Sequence, residues 1–282
     1  MALAMGECGI DDDRISGLHI PLTIHDLRQG RKYFNNLSDE NENQDREKHL
    51  EFLCCLLVKF NVHDKFGIVD PHEHFELPPG YHLVANFGVE QGAPVSLIEV
   101  VEDETFHPDK LCGHKFVFIS GKLRPYQFRS GPLLDTSAVD SRLFSELIEY
   151  FNEHKITSLG LEYTEPQVSG IRMYETVLKQ ERRMILRTIT PSLMLSNDLK
   201  WVPTCWRCSS NSNPIPDPQD WCGKDKDTGK HKDPEDFQVD TYLTSIQMDF
   251  TKGSSTLSSS FVNSSPFGFS RKKVNSVSSS SG

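Results

Sequence analysis

Apolar positions follow two rhythms along this chain. Over "DREKHLEFLCCLLVKF" (45–60), Leu50, Leu53, Cys54, Leu57 and Phe60 recur three and four residues apart. That spacing favours an amphipathic helix, with a strand through "FLCCLLV" as the alternative for so short a run. "DTSAVDSRLFSELIEYFNEHKI" (135–156) gives the clearest helix. Val139, Leu143, Leu147 and Phe151 form its stripe, Phe144 and Ile148 widen it, and Thr136 or Ser137 can cap it. Elsewhere the rhythm is that of strands: "FGIV", "YHLVANF", "PVSLIEVV", "HKFVFIS", "RPYQF", "SLGLEY" and "MILRTIT" are short and rich in branched and aromatic residues. Short connections between the first five favour antiparallel hairpins over crossovers.

These elements predict one α+β domain over 46–203, an antiparallel sheet with one or two packed helices. Residues 1–45 read as a polar leader, 204–240 as an irregular segment containing Cys and His, and 241–282 as a Ser-rich tail. Both flanks carry too little apolar surface to fold alone and are expected to be disordered.

Charge and cysteines narrow the setting. Forty acidic residues against thirty basic ones leave a net charge of −10, which argues against nucleic-acid or anionic-membrane partners. No apolar run approaches the roughly 20 residues of a membrane span, and the N-terminus turns acidic before any signal-type apolar core develops. A protein partner engaged through the tail is the expected kind of interaction, and the pattern does not fix an oligomeric state. Seven cysteines with no paired framework, two of them (Cys54 and Cys55) inside an apolar run, read as reduced thiols of a cytoplasmic or nuclear protein.

Two constellations carry chemistry. In "FGIVDPHEHFELPPGYH", His72 and His74 stand two apart, so a strand would present both imidazoles on one face as metal ligands. His63, Asp70, His82 and His114 are candidates for a third ligand. The second constellation is Cys205-x-x-Cys208 followed by Cys222 and His231, a Cys₃His set suited to structural zinc. No phosphate-binding loop, nucleophile elbow or dinucleotide fingerprint occurs.

"DPHEH" resembles the Asp-x-His-x-His signature of the amidohydrolase superfamily, with Asp70, His72 and His74 in register. That family implies a (β/α)₈ barrel of about 250 residues, longer than the folded stretch available after His74. A wider segment, "FNVHDKFGIVDPHEHFELPPGYHLV" with the β-rich stretch, helix and "LGLEY" after it, resembles a group of uncharacterised fungal proteins. This second resemblance implies no activity and lends no catalytic residues. The sequence therefore points to a binding or accessory protein with structural zinc. Its alternative is a metal-dependent hydrolase or oxygenase centred on His72 and His74.

Overall fold

The structure is a computed structural model and describes residues 14–37, 46–90, 92–166, 169–189, 199–209 and 214–232. Ten strands close into a barrel. They are β1 (Phe66–Val69), β2 (Tyr81–Glu90), β3 (Ala93–Glu102), β4 (Leu111–Ile119) and β5 (Lys122–Ser130), then β6 (Gly160–Tyr163), β7 (Met173–Leu178), β8 (Arg183–Thr188), β9 (Leu199–Cys208) and β10 (Pro216–Asp225). Around the barrel the order is β1-β6-β4-β5-β2-β3-β8-β7-β10-β9, and β9 returns to β1 through Ile68–Trp206 and Val69–Cys205. The joins β2–β5 and β7–β10 are parallel, and the others are antiparallel.

The α+β expectation of an open antiparallel sheet is therefore overturned. The strands that complete the closure are β9, which runs from the end of the expected domain into the segment expected to be irregular, and β10, which lies wholly within that segment. Their sequences, "LKWVPTCWRC" and "PDPQDWCGKD", contain three prolines and three aspartates, residues that usually mark loops. The ladder accommodates them with register shifts between Pro218 and Asp220 and between Asp220 and Trp221, where a missing N–H costs least.

Among the described residues three α-helices pack against the barrel. α2 (Arg46–Lys59) and α3 (Arg142–His154) bring Leu53, Leu57, Leu147 and Phe151 into one cluster with Phe66, Ile68, Phe116, Phe118, Leu161 and Trp206. Both helices were expected, although the N-cap of α3 is Ser141 rather than Thr136 or Ser137. α1 (Ile24–Phe34) lies in the stretch expected to be a leader. Its Thr23–Asp26 capping box satisfies two backbone N–H groups, and Leu27 packs on Val84 and Phe128. Gly30 permits this approach, because a Cβ there would meet the Phe128 ring at 2.8 Å.

Within the barrel, Leu83, Ala85, Ile98, Val117, Tyr126, Met173 and Met184 from six strands form an apolar interior cluster. A disulfide between Cys54 and Cys208 fastens α2 to the end of β9. The expectation of reduced thiols therefore fails for this pair, which is distant in sequence but adjacent across the helix–barrel contact. Among the described residues no helix is long and apolar enough to cross a membrane. The Ser-rich tail lies outside the described residues.

Candidate metal centre

β1 ends at Val69, and the chain then crosses the barrel end without strand structure until Tyr81. Prolines at 71, 78 and 79 deny this stretch a regular ladder. His72 and His74 therefore sit on a connecting loop, not on the strand expected for them. The loop is anchored at its start, where the Asp70 N–H donates to the Thr204 carbonyl (2.8 Å) and the Asp70 carboxylate accepts from Arg46 (2.9 Å). Asp70 is thus committed to Arg46, and the Asp-x-His-x-His register does not become a shared site.

The imidazoles converge instead on Glu175 of β7. His72 Nε2 lies 3.2 Å and His74 Nε2 2.8 Å from the same Glu175 Oε2. His72 Nδ1 donates to the Asp70 carbonyl at 2.8 Å, which orients the ring and turns Nε2 inward. Cys222 of β10 is the register partner of Glu175 in the parallel β7–β10 pair, so their side chains leave the sheet on one face. The four ligating atoms of His72, His74, Glu175 and Cys222 all lie within 4.8 Å of one another. His74 is sealed, with 1% of its side chain exposed, whereas His72 keeps 15%.

His231 completes the surroundings. Its Nδ1 is 2.9 Å from Cys222 Sγ, and its ring meets that of His74 at 4.6 Å between centroids. A bridge between Lys224 and His231, with the Lys232 N–H donating to the Gly223 carbonyl (2.9 Å), holds it over the end of β10.

The electrostatics follow from burial set against these contacts. Burial opposes charge on His72, but hydrogen bonds to Cys222 and Glu175 outweigh it and hold its pKa well above the ordinary value. Burial takes His74 down to about 4. Burial would raise Glu175, yet the adjacent His74 and the hydrogen bonds from both imidazoles hold it well below the usual carboxylate range. The Cys222 thiol is lowered because hydrogen bonds from His231 and His72 exceed the effect of burial.

The Cys205, Cys208, Cys222 and His231 set is not assembled. Residues three apart on a strand face opposite sides, and Cys208 points out to its disulfide with Cys54. Cys205 accepts from Arg207 Nη1 at 3.2 Å, and burial pushes its thiol well up. Cys222 and His231 join the two histidines of the other constellation instead. None of the expected third ligands takes part: His82 pairs with Asp103 at 3.2 Å, His114 lines the barrel interior, and His63 lies elsewhere. Glu175, the residue missed, occupies an inward position between Met173 and Val177. An acid within that apolar alternation is the signal that marks it.

Glu162, Cys205 and Asp220 form a second convergent group. Two cations already fill its surroundings: Arg207 Nη2 bonds Glu162 at 2.9 Å and Lys115 Nζ lies 3.5 Å from it. Burial would raise Glu162, but Lys115 and Arg207 hold it well below the usual range. Burial, then the neighbouring Glu162, lifts Asp220 to about 7. With fixed ammonium and guanidinium groups in place, this group is an internal ion-pair network, not a metal site.

No family model, curated protein or solved structure matches the chain.

Proposed function

We propose that this chain is a metal-binding barrel protein whose centre holds one zinc-type divalent ion through His72, His74, Glu175 and Cys222. The observation that carries the reading is the convergence of two imidazole nitrogens, a carboxylate oxygen and a sulfur from three separate segments within 4.8 Å. In a tetrahedral zinc shell, donors lie roughly 3.3–3.8 Å apart. The spacings here bracket that range. Nitrogen, oxygen and sulfur donors together suit zinc better than the oxygen-seeking calcium or magnesium.

Four protein donors fill a tetrahedral shell and leave no position for a reacting water. The centre then acts structurally: it ties the 70–80 loop to β7 and β10 and closes that end of the barrel. This supports a binding or accessory role over the alternative of a hydrolase or oxygenase, which requires an open coordination position. A protein partner engaged by residues 241–282 belongs to the same reading. The Cys54–Cys208 disulfide supports an oxidising compartment rather than a cytoplasmic or nuclear one.

The test is metal content of untagged protein, by elemental mass spectrometry, in wild type and variants. One equivalent of zinc is expected, lost in His72→Ala/His74→Ala and in Cys222→Ser and kept in Cys205→Ala. Metal retained by the double-histidine variant sinks the assignment.

A further inference from the structure

One pleat along the barrel from the metal centre lies a second feature that the centre does not use. Asp220 and Met173 are register partners, two residues before Cys222 and Glu175 on the same strands. Residues two apart share a face and stand about 7 Å apart. Both line an interior cavity of about 20 Å³. Around it, among the described residues, Gln127 Nε2, Gln219 Oε1 and His114 Nδ1 are buried with no hydrogen-bond partner. Gln127, Gln219 and His114 are 3%, 4% and 4% exposed, so bulk water does not satisfy them.

Native interiors leave only a few such groups per hundred residues, and each costs about 1–3 kcal/mol. Three around one cavity mark a place that is filled when the protein is in solution. We propose that this cavity binds a small neutral molecule presenting a hydrogen-bond acceptor beside a donor, of the amide or hydroxyl class.

The chemistry of the wall selects that class. Gln127 Nε2 supplies a donor, and Gln219 Oε1 supplies an acceptor. A ligand must therefore offer both kinds of group. Lys115 and Arg207 are both engaged by Glu162, so an added ion would enter without a counterpart of its own. Phe87, Ile98 and Leu186 on the remaining wall exclude a molecule that is polar all round. The volume holds a group the size of one or two waters, which limits the inserted end to an amide or hydroxyl head. The site uses no residue of the metal centre.

Titration of the full-length protein, labelled at its methionine methyls, with acetamide and with glycerol tests the proposal by NMR. The Met173 methyl should shift saturably with at least one of these, and not with sodium acetate or methylammonium chloride at equal concentration. Gln127→Leu should weaken binding about tenfold, the loss of one hydrogen bond. Gln219→Leu serves should that variant not fold, with the Met184 methyl as the fold control. Saturation should persist unchanged in His72→Ala/His74→Ala. The proposal is overturned if no neutral probe saturates, which leaves the cavity to water. It is equally overturned if the charged probes bind as well, if the glutamine variants bind like wild type, or if binding disappears with the histidines and so belongs to the metal centre.

Discussion

Cutting the Cys54–Cys208 cross-link should be the most damaging covalent change that leaves every side chain of the barrel in place. The two cysteines are separated by 154 positions, so in the unfolded chain the bond closes a loop spanning more than half of the sequence. In the chain-entropy description the lost freedom is about 2.1 + 1.5R ln n cal/mol/K. For a loop of this length that is about 17 cal/mol/K, or about 5 kcal/mol at 25 °C, a ceiling within the usual range of about 2–5 for native disulfides. Reducing the wild type deletes no atoms, whereas Cys54→Ala/Cys208→Ala also removes two buried sulfurs. Comparing the two separates cross-linking from packing. Urea unfolding with and without a reductant is the assay. With a slope of about 2–3 kcal/mol/M, the midpoint should fall by up to about 2 M. A thiol reagent applied in denaturant should count at least two thiols fewer than the seven cysteines. A full count of seven would show that the cross-link is absent, and identical midpoints for oxidised and reduced protein would show that it does not stabilise the fold.

Three further outcomes are expected. Adding zinc to chelator-treated protein at a hundredfold excess over its dissociation constant should raise unfolding free energy by about 2.7 kcal/mol, an effect absent in Glu175→Gln; thermal melts measure both. Gly160→Ala should cost about 1–3 kcal/mol, because its Cβ would press on the Phe116 backbone carbonyl in the β4–β6 pair, and chemical denaturation reads the loss. Burial takes His114 from 6.5 down to about 3, so the unfolded chain binds a proton there before the folded one does. That stability is complete above pH 6.5 and is lost as pH falls towards 3, about 2 kcal/mol of it by pH 5; His114→Gln should flatten this part of the stability–pH curve, and an unchanged slope would count against the burial argument.

Local pattern revealed what local forces decide. α2 and α3 were legible because Leu53–Leu57 and Leu143–Leu147–Phe151 repeat at helical spacing against a polar background. α1 was missed although Thr23 and Asp26 stand at capping-box spacing, because only Leu27, Gly30 and Phe34 are buried in its eleven residues. β9 and β10 were missed because a proline interrupts β9 and five of the ten residues of β10 are proline or aspartate, while their place in the barrel is set by pairing with β1 and β7. The site divided along the same line. His72 with His74, and Cys222 with His231, were visible as pairs of neighbours in the chain. Their union depends on the Glu175–Cys222 register between strands 47 positions apart, and no local spacing encodes such a register.

The interior of this barrel also shows where stability was given up. Leu83, Ala85, Ile98 and Met184 fill one part of it with ordinary packing, whereas Lys115, Glu162, Arg207, Asp220 and Glu175 bring ionisable groups into another. Buried ion pairs of this kind are often no more stabilising than apolar residues of equal volume, and removing one partner alone costs about 3–5 kcal/mol. An interior selected for stability alone would have continued the apolar pattern of β2 and β3 around the barrel. The polar part instead contains the convergent His, Glu and Cys donors at its end and the unfilled Gln127, Gln219 and His114 around its cavity. These are two different chemistries held in fixed register by β7 and β10. Rigid strands position such groups more closely than loops do. The proline- and aspartate-rich β10, which carries Asp220 to the cavity and Cys222 to the candidate metal centre, is therefore the element whose sequence serves these convergent groups more than the fold.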